Sequence, residues 1–142
     1  MLFNYFIGLF TMVICLLLQI LLLVVVLRMY SRRIKPVNEL TISYSLLIIS
    51  VIMIILVVGN LAQIIIWGYL FLLLGEFELL SQAVYHSAVN FTTLGYGDIV
   101  MSAQYRLLGP LEAINGVLMI GVSTAVLMAV FQDLLRKKRD DR

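Results

Sequence analysis

The sequence predicts an all-α membrane protein with three transmembrane helices and one shorter helix that enters the bilayer without crossing it. Of its 142 residues, 63% are hydrophobic and only 13% are charged, whereas charged residues make up about a quarter of a soluble domain. Two runs, Met1 to Leu27 and Leu40 to Gly75, carry no charged side chain. Each exceeds the roughly 20 apolar residues that a crossing needs. Between Gly75 and the run Thr92-Thr93-Leu94-Gly95-Tyr96-Gly97-Asp98 there is room for a helix of about 14 residues, or about 21 Å, too short to span. The net charge of +2 is too small to indicate nucleic-acid binding. The single cysteine, Cys15, offers neither a disulfide framework nor a metal-binding set and reads as a small buried hydrophobe.

Residues 1–30 form the first element, an accessory transmembrane helix about 40 Å long if Met1 to Leu27 is helical throughout. It lacks the basic start and small-residue cleavage site of a signal peptide. It also lacks the regular arginines of a voltage sensor. Its amides, Asn4 and Gln19, are placed to bond a neighbouring helix. A basic linker follows over 31–40, with Pro36 at the break or first turn of the next helix. The second crossing is expected near Thr41 to Ile66, with Trp67 and Tyr69 as an interfacial aromatic belt. Gly59-Asn60 suits a close helix contact or a kink. Gly75 ends this segment, and Glu76 and Glu78 fit the positive end of a helix over 78–92. Ser102 is the expected N-cap of a last helix over 103–131, kinked at Pro110. Residues 132–142 form a basic tail. Basic residues cluster in the linker and the tail, so both are expected in the cytoplasm and the amino terminus outside.

Thr92 to Asp98 is the informative run. Glycines alternating with other residues let the backbone take left-handed dihedrals at every second position. Successive carbonyls can then face one side, as a site that replaces the water shell of a cation requires. The run resembles the signature filter of the potassium channel superfamily, with leucine in place of the usual valine. Val84 to Phe91 resembles the pore helix of small prokaryotic members with one pore loop per chain. Arg106 to Thr124, including Gly109-Pro110-Leu111-Glu112 and Asn115-Gly116, resembles their inner helix. The resemblance covers roughly Thr41 to Phe131, so residues 41–131 are expected to be a pore domain with a filter at 93–98.

What the resemblance implies is specific. Carbonyls of Thr93, Leu94, Gly95 and Tyr96, with the Thr93 hydroxyl, would hold potassium as the permeant ion, and no other cofactor is expected. Gly97 would open the outer mouth. One loop cannot surround an ion, so a homotetrameric pore is implied. Asp98 either accepts a bond from Tyr85 or stands as a solvated mouth charge. Val89 occupies the position where some relatives carry a glutamate partner for that aspartate.

Glu112, in an apolar helix, and His86, the only histidine, are candidates for modulation. Either they couple behind the filter, by pairing or through backbone groups, or Glu112 reaches water while His86 packs as a neutral ring. Gly116 and Gly121 are candidate inner-helix hinges or sites of tight packing. The basic tail is explained by topology or by anionic lipid contact. A potassium-selective channel is the leading reading. A weakly selective cation channel and a non-conducting membrane scaffold or regulatory subunit are the alternatives. Without a nucleophile–base set, phosphate loop or metal motif, the chain does not read as an enzyme.

Overall fold

The computed structural model describes residues 2–33 and 42–140. The linker's Lys35, Pro36 and Thr41, and the last two residues of the tail, lie outside the described residues. Four helices follow in order: α1 (Leu2–Arg33), α2 (Ile42–Leu73), α3 (Leu80–Phe91) and α4 (Leu108–Asp140). Helices α1, α2 and α4 are long and apolar enough to cross a membrane. At 12 residues α3 is not. The architecture is thus the all-α membrane fold expected, with one short helix held among three spans.

The length of α3 divides the core in two. At one end α3 wedges between α2 and α4, burying Trp67, Phe71, Phe91 and Leu108 around it. At the other end α1, α2 and α4 close on one another through Val26, Ile52, Leu56 and Val130. Polar side chains tie α1 to the rest at three depths. Asn4 donates to the Gln104 carbonyl. Gln19 donates to Ser123 at 3.0 Å and accepts from Gln63 at 2.9 Å. Tyr30 donates to Asp133 at 2.5 Å. Away from water, each such group needs a protein partner, which fixes the rotation of α1 against its neighbours. The Tyr30–Asp133 bond also brings the basic ends of α1 and α4 to the same end of the molecule.

Several boundaries differ from the expected ones, each for a local reason. Helix α2 runs on to Leu73 and ends in a paired turn. Gly75 (φ +74°) donates to Leu72 and Glu76 to Phe71, a closure that needs a left-handed residue where Gly75 stands. Trp67 therefore lies inside the helix, fully buried and 5.9 Å from Phe71. It is not part of an exposed belt, whereas Tyr69 is half exposed. Helix α3 begins at Leu80, not 78. Glu76 is instead drawn to Ser102, whose backbone N–H and hydroxyl it accepts at 2.6 and 2.7 Å.

Ser102 is thereby diverted from capping, and turns bridge to α4, which starts at Leu108 rather than at 103. Pro110 becomes the third residue of α4. There its missing N–H would have had no helical partner anyway, so it causes no interior kink. Helix α4 continues past 131 to Asp140, supported by the Asp133–Lys137 pair one turn apart at 2.7 Å.

The two inner-helix glycines have different surroundings. A Cβ on Gly116 would overlap the backbone carbonyl of Phe91, so α4 passes directly against the carboxyl end of α3 there. Nothing lies within 4 Å of a Cβ on Gly121. Gly116→Ala should therefore destabilise the protein by about 1–3 kcal/mol or more through overpacking. Gly121→Ala should leave stability unchanged or raise it by up to about 1 kcal/mol. Thermal unfolding of the two variants in detergent checks the contrast.

Candidate functional site

The carboxyl end of α3 sets the backbone that follows it. Thr92 N–H and hydroxyl both return to the Ala88 carbonyl, at 3.1 and 2.7 Å. Thr93 N–H donates to Asn90 at 2.9 Å, and Leu94 and Gly95 both donate to Val89, at 2.9 and 3.3 Å. From there the chain leaves helical geometry with an alternation: φ is +59° at Thr93, +59° at Gly95 and +73° at Gly97. The glycines take these dihedrals freely. Thr93 does not, because a β-branched residue at positive φ is strained by about 1–3 kcal/mol. Such strain persists only where its surroundings hold it, and residues 92–98 are all exposed along the other side.

Three side chains, through four bonds, hold the far end of the loop. Tyr85 donates to Asp98 at 2.7 Å. The ring nitrogen Nδ1 of His86 lies 2.9 Å from the Ile99 carbonyl, and Glu76 holds Ser102. The Tyr85 hydroxyl is the main reason the Asp98 carboxyl sits below the usual carboxylate range, and Asp98 in turn raises the Tyr85 phenol.

Because a carbonyl only accepts, His86 Nδ1 carries the proton toward Ile99. Its Nε2 then accepts from the Asn90 amide, 2.9 Å away. The ring packs against Phe71 (5.6 Å, edge-on) and Phe77 (5.1 Å). Burial among them pushes the imidazole below the usual histidine range, against the smaller opposing effects of the Ile99 bond, Asp98 and Glu76.

Glu112 is fully buried, so it does not reach water. It does not touch His86 directly either. Ser87 donates to one of its oxygens from α3, and the other has no hydrogen-bond partner among the described residues. The Ser87 hydroxyl also lies 2.7 Å from the Ile64 carbonyl of α2. From the outer loop, hydrogen bonds thus run through His86 to Asn90, while Ser87 separately lies between Glu112 on α4 and the Ile64 carbonyl on α2. Ser87, Asn90 and Ser102 were not among the residues expected here. Asn90 stands one turn after His86 on the same face of α3, which is a sequence signal for it; Ser87, at i+1, faces another side and had none. A cleft of about 390 Å³ lies between this network and the loop, lined by Asn90, Thr93, Gly95, Arg106 and Pro110 among others.

A protein-family model described as an ion channel matches residues 60–133. The match covers more than half of the chain, from the second half of α2 through α3 and the loop to most of α4. Comparison with curated proteins and with solved structures found no match.

Two outcomes follow from the network. Glu112→Ala should cost about 1–3 kcal/mol through the space left by a fully buried side chain and the lost Ser87 bond. Glu112→Gln, which keeps an acceptor oxygen in place, should cost less, as thermal unfolding will show. For His86 the folded state favours the neutral ring. Its contribution is therefore present above the usual histidine range and is lost as pH falls through and below it. Melting temperature should drop more between about pH 7.5 and pH 5.5 in the parent than in His86→Asn, which has no imidazole to protonate. Parallel curves for the two would contradict this role.

Proposed function

Since the chain belongs to the ion channel family, we propose that it forms a potassium-selective pore, with residues 93–98 as the filter. The alternation of left-handed backbone at Thr93, Gly95 and Gly97 carries this reading. In a Thr-Leu-Gly-Tyr-Gly run, this alternation turns carbonyls of Thr93, Leu94, Gly95 and Tyr96 toward a common side. Together with the Thr93 hydroxyl they replace the hydration shell of a potassium ion. The ion is cargo, bound well enough to enter and weakly enough to leave.

A single loop supplies one quarter of such a cage, so the pore is a homotetramer about a fourfold axis. The exposure of Leu94 (54%) and Tyr96 (65%) in one chain is what a loop completed by neighbouring copies would show. The cleft behind the loop is where a neighbour's filter would pack. Asp98 and Arg106 stand at the mouth. The carboxyl end of α3 adds the negative end of its dipole beneath the filter.

Both basic helix ends lie on the cytoplasmic side by the positive-inside rule, with the amino terminus outside, in a cell membrane crossed three times. Gly121, with open space around it, is the better hinge candidate in α4. Gly116 serves packing.

Flux into proteoliposomes, with potassium and sodium compared, tests the proposal. Potassium should enter at least about tenfold faster, and Gly95→Ala, which strains the left-handed position, should abolish the preference. Equal flux of both ions would favour a weakly selective cation channel. Absence of flux from folded protein would favour a scaffold.

A further inference from the structure

Where α1 ends and α2 begins, an apolar cleft opens beside three arginines. The cleft, about 170 Å³, lies between Met29 and Tyr30 of α1 and Tyr44, Leu47 and Val51 of α2, with Arg33 at its edge. Tyr44 to Val51 is seven steps along one helix face, or about 10 Å. Next to it is a broader hollow of about 430 Å³, formed by Val25, Arg28, Met29, Arg32 and Arg33. Met29 and Arg33 line both, so the apolar slot and the cationic hollow share a wall.

Arg28, Arg32 and Arg33 are exposed, and none joins an ion pair among the described residues. The other basic cluster differs. Lys137 is bonded to Asp133 and lies 5.6 Å from the centre of the Tyr30 ring. The arginines of α1 also sit at the end of its charge-free run, where a span leaves hydrocarbon for the headgroup layer.

We propose that this crevice is a binding site for one anionic phospholipid per subunit. An acyl chain lies between α1 and α2, and the phosphate is held by Arg28, Arg32 and Arg33. Guanidinium groups match phosphate oxygens in a fork, which suits them to this role better than a diffuse basic surface. A free phosphate would leave the apolar slot unfilled. A zwitterionic lipid would bring its own cation against the arginines. The site lies on the accessory helix and the start of α2, outside residues 60–133 that match the channel family.

Lipid retention by purified protein, read by native mass spectrometry with phosphatidylglycerol and phosphatidylcholine as probes, tests this directly and independently of ion selectivity. Phosphatidylglycerol should bind preferentially, and millimolar inorganic phosphate should not displace it. Replacing Arg28, Arg32 and Arg33 by Gln should weaken binding at least about tenfold, while Gln at Arg136, Lys138 and Arg139 should change it less than about twofold. Leu47→Trp fills the slot and leaves every charge, and hence the topology, in place. It should weaken binding comparably, and it carries the test if the arginine variant fails to insert. Equal loss in the two charge variants, displacement by phosphate, equal binding of both lipids, or unchanged binding in Leu47→Trp would each overturn the site.

Discussion

Irregular backbone within a bilayer survives only where protein takes its polar groups, and the carboxyl end of α3 meets that demand here. Val89, Asn90 and Ala88 lend their carbonyls to the first N–H groups of the loop, and Gly116 lets α4 press against the Phe91 carbonyl. With a side chain at Gly116 the two helices would separate, and the strained Thr93 would lose the frame that holds it. The remaining arrangement follows from supporting that one turn. Helix α2 must be long enough to carry Trp67 and Phe71 beneath α3, and the far end of the loop must be tied at Asp98, Ile99 and Ser102.

Those ties connect elements that would otherwise meet only through apolar contact. Apolar packing between helices is tolerant of sliding and rotation, whereas a buried hydrogen bond at membrane depth is not. The contacts from Ile99 through His86 to Asn90 tie the outer loop to α3, and Ser87 ties α3 to Glu112 at the start of α4. The Gln19, Gln63 and Ser123 amide and hydroxyl groups do the same for α1 in the opposite half.

Local patterns predicted the spans well because hydrophobic run length is a local quantity. Gly75 as a stop and the alternation at Gly95 and Gly97 were also legible, since each is a single residue's backbone freedom. What depended on distant partners was not. The preference of Ser102 for capping is real, but Glu76, 26 residues away, outcompetes the helix for it. Pro110 read as a kink only because the start of α4 was placed too early. The charged stretch after Phe131 read as a tail, although Asp133 and Lys137 sit one turn apart and support a helix. Trp67 read as interfacial because its residue type is common there, and it is buried only by the packing of other helices, Cys15 of α1 and Met119 of α4 among its core cluster. Glu112 was visible as an anomaly, but its partner, Ser87, is identifiable only once α3 and α4 are packed.

In the proposed pore, the loop after α3 is one quarter of a cation cage. Imaging the purified assembly in potassium by cryo-electron microscopy tests it most directly. Four copies around one axis are expected, with the Thr93 to Tyr96 carbonyls facing it and ion density between successive rings. An assembly with any other number of subunits, or four loops whose carbonyls turn away from an axis without ion density, would contradict it.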